Sequence, residues 1–177
     1  MTSSIGSFFV VATVVCAFFA FVSYSFALAL KSKVLLQNAR RLTYASILFI
    51  VSAFVTLEIA LFRRDYSLSY VYEHTANTTG KLFTFTAAWA GLEGSILLWT
   101  LVLCGYTTYV LVSTSKQTKN EFDPATTIAH MVMVSFIAFF SVMMLVSASP
   151  FEKAATIAAN GLGANPLLQE HYAMAIH

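Results

Sequence analysis

Between Ala87 and Leu103 the chain reads AAWAGLEGSILLWTLVL, and Glu93 is the residue there with the most chemistry to offer. A carboxylate in an apolar run can carry a proton, hold a cation, orient a cofactor or hydrogen-bond a neighbouring helix as packing glue. At mid-bilayer it costs about 2.5–3.5 kcal/mol, less toward the interface, so Glu93 is expected to face protein rather than lipid. Its neighbours suggest how. Ala87, Gly91 and Ser95 recur every four residues, as do Ala90 and Gly94, and small residues at that spacing let helix backbones approach closely. Trp89 falls one helical turn before Glu93, at the headgroup depth where tryptophan is enriched. The pattern predicts one unbroken helix with Glu93 in a tight seam and Gly91, Gly94 and Ser95 at close helix contacts. A second carboxylate, Glu58, reads as lying nearer the inner end of its own run, where packing is the simpler role.

The other reactive side chains are few. Cys16 and Cys104 each sit inside an apolar run, and no CxxC or CxxCH occurs. The chain is therefore neither a thioredoxin-like thiol carrier nor itself a c-type cytochrome, and both thiols read as buried core groups. His130 stands near the start of the last apolar run. His171 and His177 belong to SPFEKAATIAANGLGANPLLQEHYAMAIH, residues 149–177, which holds two prolines and two glycines and is a poor membrane span. It reads as an external segment lying on or dipping into the membrane.

The elements that position these residues are helices. Hydrophobic residues make up 58% of the chain and charged residues 10%, with mean hydropathy +0.75, against roughly 45–50% and about 25% in soluble domains. Four apolar runs, near residues 5–30, 42–62, 82–112 and 128–148, are each long enough to cross a core of about 30 Å, which single segments cross only as helices. The fold class is an all-α integral membrane protein. It has four transmembrane helices over residues 1–148 and an irregular external segment over 149–177. The run 82–112 is about 45 Å long as a helix, so one end must protrude, tilt or lie in the interface. The first run is too long for the core of a cleaved signal peptide, and nothing basic precedes it. Lys31, Lys33, Arg40 and Arg41 follow it, placing that loop inside and both termini outside. A net charge of +2 gives no reason to expect a nucleic-acid partner. Asn77-Thr78-Thr79 matches a glycosylation sequon of the kind common by chance.

The segment from Trp89 through Glu93, Gly94 and Ser95 to Trp99 resembles the W-G-x-x-E-G-S-x-x-L-W signature of the CcmF family, the membrane haem lyases of cytochrome c maturation. DYSLSYV, with Asp65, Tyr66 and Tyr70, is similar to the family's D-F-x-x-x-Y-V external loop. SPF at 149–151 is similar to its N-P-F. GLGANPLLQEHYAMAIH, with Asn165, Pro166, Gln169 and His177, is similar to its G-x-x-L-N-P-L-L-Q-D segment ending in histidine. The motifs stand in family order and span nearly the whole chain. Ala90, Leu92 and Ala164 depart from the usual Gly, His and Leu. Family members are several times longer, and their tryptophan-rich WWD segment, second external histidine and transmembrane histidine pair lie beyond the equivalent of His177. The resemblance thus implies an N-terminal part of such a protein, either a split subunit or a truncated reading frame.

It further implies haem as bound substrate or cofactor, with His177 the external axial ligand to haem iron in the complete protein. Implied partners are apocytochrome c, whose CxxCH receives the haem, a haem chaperone, thiol-handling maturation proteins, the remaining part of the lyase and membrane lipid. The implied location is the bacterial inner membrane or, alternatively, the mitochondrial inner membrane. A competing reading is a small subunit of a respiratory or transport complex using Glu58 and Glu93 as intramembrane sites; it expects the two to face each other along one polar path. The lyase reading expects polarity at the outer end. The topology predicts that reporter fusions after Arg41 and after Lys116 both read cytoplasmic, and a periplasmic signal at either position overturns it.

Overall fold

A computed structural model describes residues 1–119 and 121–163; the expectations for Asn165, Pro166, Gln169, His171 and His177 lie outside the described residues. Four long helices form the body: α1 (Thr2–Leu30), α2 (Lys33–Arg63), α5 (Leu92–Gln117) and α6 (Pro124–Val146). Each is long and apolar enough to cross a membrane. Between α2 and α5 lie two short helices, α3 (Ser69–His74) and α4 (Lys81–Thr86), and a 3₁₀ turn over Ala87–Trp89. Helix ends follow ordinary capping chemistry. Lys31 and Arg64 close α1 and α2 in the left-handed conformation. Asp123 caps α6 by accepting from the Thr126 N–H at 2.8 Å, with Pro124 in the first turn.

The bundle is inverted relative to a soluble one, since its outer faces are as apolar as its seams. What marks the seams is small size at a three-four spacing. In α1 the buried positions are Ser3, Gly6, Val10, Thr13, Ala17, Ala20, Tyr24 and Ala27. In α2 the buried set includes Leu36, Ala39, Thr43, Ser46, Ile50, Ala53, Leu57 and Ala60. That is the seam of an antiparallel, coiled-coil-like pair whose small residues bring the backbones close. α1 packs on α2 and α6, and α5 packs on the same two helices, so neighbours alternate in direction around the bundle.

One end is basic. Lys31, Lys33, Lys116 and Lys119 gather there, and Lys33 pairs with Glu121 at 2.6 Å. A buried polar cluster beneath draws one residue from each long helix. The Tyr24 and Thr43 hydroxyls lie 3.2 Å apart, the Tyr24 and His130 rings 5.9 Å apart, and His130 Nε2 lies 2.9 Å from Thr114 Oγ1. The other end is a polar cap made of residues 64–91 and 147–163. Phe151, only 1% exposed, lies against Gly6 of α1, where a Cβ would overlap its ring. The Ser3 hydroxyl donates to the Phe151 carbonyl at 2.7 Å.

Three expectations change. The run 82–112 is not one helix; it is interrupted at Ala90–Gly91, where Gly91 is extended (φ −123°, ψ 171°). The link after α1 is short, so Arg40 and Arg41 lie within α2 rather than in a loop. Glu58 lies near the C-terminal, cap end of α2, because that helix runs from the basic end to the cap. Phe151→Ala should lower the unfolding free energy by about 3–5 kcal/mol through cavity formation, while Phe18→Ala on the outward face of α1 should change it little. Unfolding in detergent, followed by circular dichroism, checks this; equal effects would count against the cap as a packed element.

Candidate functional site

The cap is organised round the interruption between α4 and α5. Ending one helix and starting another leaves carbonyls and N–H groups without intrahelical partners. Tyr70, on α3 and 3% exposed, bonds two groups there, of which the Ala87 carbonyl also accepts from the Ala90 N–H at 3.2 Å. Its hydroxyl donates to the Ala87 carbonyl at 2.8 Å and accepts from the Gly91 N–H at 3.2 Å. Ser95 bonds a third, its hydroxyl donating to the Trp89 carbonyl at 2.9 Å. Burial, then the charges of Glu93 and Glu58, hold the Tyr70 phenol well above its ordinary pKa, against the opposing pull of the Gly91 N–H. It is therefore a protonated donor at neutral pH.

The glycines explain how closely these parts meet. A Cβ on Gly94 would overlap the Ala88 carbonyl oxygen and the Tyr70 hydroxyl. A Cβ on Gly91 would come within 2.5 Å of His74 Nε2. His74 stacks on Tyr70 with ring centroids 4.2 Å apart, and its Nδ1 lies 2.9 Å from the Tyr70 carbonyl oxygen. The close contacts of Gly91 and Gly94 are thus with α3 and the turn, not with a second long helix. Nor can Ala87, Gly91 and Ser95 form one ridge, because the backbone turns between them. Trp89 and Glu93 likewise do not share a helix face. Trp89 is half-buried with an edge contact to Phe85 at 5.3 Å, whereas Trp99 is 66% exposed on α5.

Glu93 occupies the first turn of α5 and is half-buried. A negative charge there complements the helix dipole, and its carboxylate has no hydrogen-bond partner among the described residues. The Glu58 carboxylate oxygens are buried and likewise unpartnered among them. Both carboxylates act on Tyr70 at the cap end.

Asp65 and Tyr66 secure the rest of the cap. Asp65 accepts from the Thr2 hydroxyl at 2.5 Å and from the Ser67 hydroxyl and N–H at 2.5 and 3.3 Å. Partial burial raises its pKa, but those hydrogen bonds outweigh it, and the net shift is downward. The Tyr66 hydroxyl donates to Asn77 Oδ1 at 2.9 Å. Asn77, the sequon residue, also donates through Nδ2 to the Ala159 carbonyl at 3.3 Å and through its N–H to Asn160 Oδ1 at 2.8 Å.

These contacts belong to a strap. Residues 149–162 run back over the Asp65–Tyr72 loop. The Ser69 N–H donates to the Glu152 carbonyl at 3.0 Å, Ala154 N–H to the Ser67 carbonyl at 2.9 Å, and Leu162 N–H to the Tyr72 carbonyl at 2.8 Å. Gly161 lies so close to the Thr75 and Tyr72 carbonyls and the Tyr66 ring that a side chain there would collide. Sequence reasoning missed His74 and the strap, and noted Asn77 only as a sequon residue. The glycines of GLG were the available signal for a close backbone approach, but nothing in them names the partner.

No described residue at the cap presents an imidazole to haem iron, because His74 Nε2 is packed against Gly91 and its Nδ1 is engaged. Among the described residues no group of three or more His, Cys, Asp or Glu could hold a metal ion.

Fold and cap together define a four-span helical integral membrane protein with a structured polar surface at one bundle end. The cytochrome c haem lyase CcmF, a solved structure, superposes with TM-score 0.79 at 28% identity over 100% of this chain and 27% of that one. Curated relatives include the cytochrome c-type biogenesis protein CcmF of Pseudomonas fluorescens, 31% identical over 137 residues (77% of this chain, 20% of the relative). Another is CycK of Bradyrhizobium diazoefficiens, 29% identical over 150 residues (84% and 22%). In sequence and fold the chain is similar to one part of CcmF-type cytochrome c biogenesis proteins, and it spans about a fifth of the length of the curated relatives it matches. No family model matches it.

Tyr70→Phe, which removes a donor and an acceptor at the interruption, should destabilise the chain by about 1–3 kcal/mol. Gly94→Leu should be far more disruptive than Leu98→Ala. Detergent unfolding midpoints read both comparisons, and a Gly94→Leu variant as stable as Leu98→Ala would refute the close approach to Tyr70 and Ala88.

Proposed function

We propose that this chain is the part of a cytochrome c haem lyase that mounts the external haem-handling segment, with the cap facing outward from a bacterial inner membrane. A mitochondrial inner membrane is the alternative location. In the complete protein His177 supplies one axial ligand to haem iron, and the remaining part of the lyase supplies the other ligand and the surface against which haem lies. Haem is bound substrate, received from a haem chaperone and presented for thioether formation at the CxxCH of apocytochrome c. Thiol-handling maturation proteins keep those cysteines reduced. The 177 residues alone are not an active lyase on this reading, since they offer one external ligand.

The observation that carries the proposal is the strap. The backbone hydrogen bonds from Ser67, Ser69 and Tyr72 fix the course of residues 149–162 over the cap. The chain leading to Asn165, Pro166, Gln169 and His177 therefore departs from a defined point beside Tyr66 and Thr75. A ligand needs such an anchor, because orienting haem against substrate thiols is the protein's contribution to a reaction whose chemistry lies in the haem and the thiols. Asp65, Tyr66, Tyr70, Glu93, Gly94 and Ser95 serve that anchor and do not touch haem.

His177→Ala in a complete lyase should lower haem content and cytochrome c maturation together, with partial recovery of both on adding imidazole. Absorbance of the purified protein and haem staining of c-type cytochromes measure the two. Unchanged haem content with unchanged maturation would falsify the assignment.

A further inference from the structure

At the cap end of α2 a cavity of about 460 Å³ opens between that helix, the start of α1 and the strap. It is lined by Thr2, Ile59, Arg63, Asp65, Ser67 and Ile157 among others. Its walls carry opposite charges that do not pair with each other. Arg63, the last residue of α2, is exposed and makes no hydrogen bond or ion pair among the described residues. Asp65 is half-buried, and its carboxylate accepts at Oδ2 from the Thr2 hydroxyl and at Oδ1 from the Ser67 hydroxyl and N–H. An ionised carboxylate offers about four lone-pair positions, so one at Oδ2 is left for a further donor. Arg64 also lines the cavity, but its Nη2 is engaged, donating to the Thr79 carbonyl at 2.7 Å.

One wall is apolar and continuous with the lipid-facing surface. Val55, Ile59 and Arg63 recur every four residues, so they lie one above another on one face of α2. Val55, Ile59 and the adjacent Phe62 are all exposed. α2 is long and apolar enough to cross a membrane, so this stripe runs from hydrocarbon depth to the membrane boundary. Ile157 of the strap is an exposed apolar side chain on a polar cap, and it lines the same cavity as Ile59. An arginine that merely snorkels to the interface would account for Arg63 alone. It would not account for an open carboxylate acceptor and a second apolar wall at the same point.

We infer that this cavity binds the headgroup of a phospholipid that carries both a phosphate and a primary ammonium, the phosphatidylethanolamine class. Arg63 takes the phosphate, which guanidinium groups match with two parallel N–H donors. Asp65 Oδ2 accepts from the ammonium. The glycerol lies between Ile59 and Ile157, and an acyl chain continues along Val55. Charge complementarity selects the headgroup. A purely anionic headgroup would set negative charge beside Asp65 and leave its acceptor unmet. A quaternary ammonium has no N–H to donate. A soluble phosphoamine would use both charges but neither apolar wall. The inference needs only that α2 spans the membrane and is independent of the haem-ligand role of His177.

The test is a lipid titration of the full chain in detergent, read by native mass spectrometry. The probes are phosphatidylethanolamine, phosphatidylcholine and phosphatidylglycerol with identical acyl chains, and water-soluble phosphoethanolamine. Phosphatidylethanolamine should bind about tenfold more tightly than either other lipid, the effect of one hydrogen bond between charged groups. Phosphoethanolamine at the same concentrations should not bind. Arg63→Gln should lower phosphatidylethanolamine affinity about tenfold and leave the detergent unfolding midpoint unchanged, since Arg63 has no hydrogen bond to lose. Asp65→Asn keeps an acceptor for Thr2 and Ser67; it should erase the preference over phosphatidylcholine and leave phosphatidylcholine affinity unchanged. Should that variant fail to fold, the Arg63→Gln and headgroup comparisons decide alone. Equal affinity for the three lipids, a preference for phosphatidylglycerol, phosphoethanolamine binding as tight as the lipid, or unchanged affinity in Arg63→Gln would each overturn the site.

Discussion

The cap depends on one hydroxyl. Tyr70 donates to Ala87 and accepts from Gly91, so it satisfies the last turn of one helical stretch and the first N–H of the next. Without that bridge the Gly91 N–H would lose its partner and the Ala87 carbonyl would keep only its 3.2 Å bond from the Ala90 N–H. The interruption in turn fixes Glu93 in the first turn of α5. It also brings α3 close enough that Gly91 and Gly94 can carry no side chain. The Glu-Gly-Ser sequence is thus explained residue by residue: charge complementing a helix start, room for a tyrosine, and a hydroxyl for the Trp89 carbonyl.

A second constraint works along the bundle. When lipid is the solvent, hydrophobicity no longer separates inside from outside, and close packing with hydrogen bonding must hold the helices together. α1 and α2 meet along alanine, serine and threonine, with Phe and Val turned outward. At the basic end Tyr24, Thr43, Thr114 and His130 join all four long helices through polar contacts. At the cap end Phe151 sits over Gly6. The two ends are therefore tied by different means, and the apolar middle between them is left to shape.

The four spans were legible because each needs a long apolar run, a property of composition that no tertiary contact can override. Of the motif residues, the structure brings Asp65, Tyr66, Tyr70, Glu93, Gly94 and Ser95 to one end of the bundle. The break at Gly91 was not legible. A stretch with two glycines and a serine supports a close-packed continuous helix as well as an interrupted one, and a tyrosine some twenty residues upstream makes the choice. Glu58 was assigned to the wrong end of its helix, although the alternation of the spans already fixed its direction. The stripe of small residues in α1 was readable at its three-four spacing, but an apolar surround gives no contrast by which to see it.

The signature residues at the cap bind mainly other residues of the same cap and the start of α1. Asp65 holds Ser67 and Thr2, Tyr66 holds Asn77, Tyr70 holds Ala87 and Gly91, and Ser95 holds Trp89. In the described structure each of these groups holds a backbone group or a neighbouring side chain in place. Their combined effect is to make a loop, a helix break and a returning strap into one body. Residues 149–162 are thereby held at a fixed place on the cap by their bonds to Ser67, Ser69 and Tyr72.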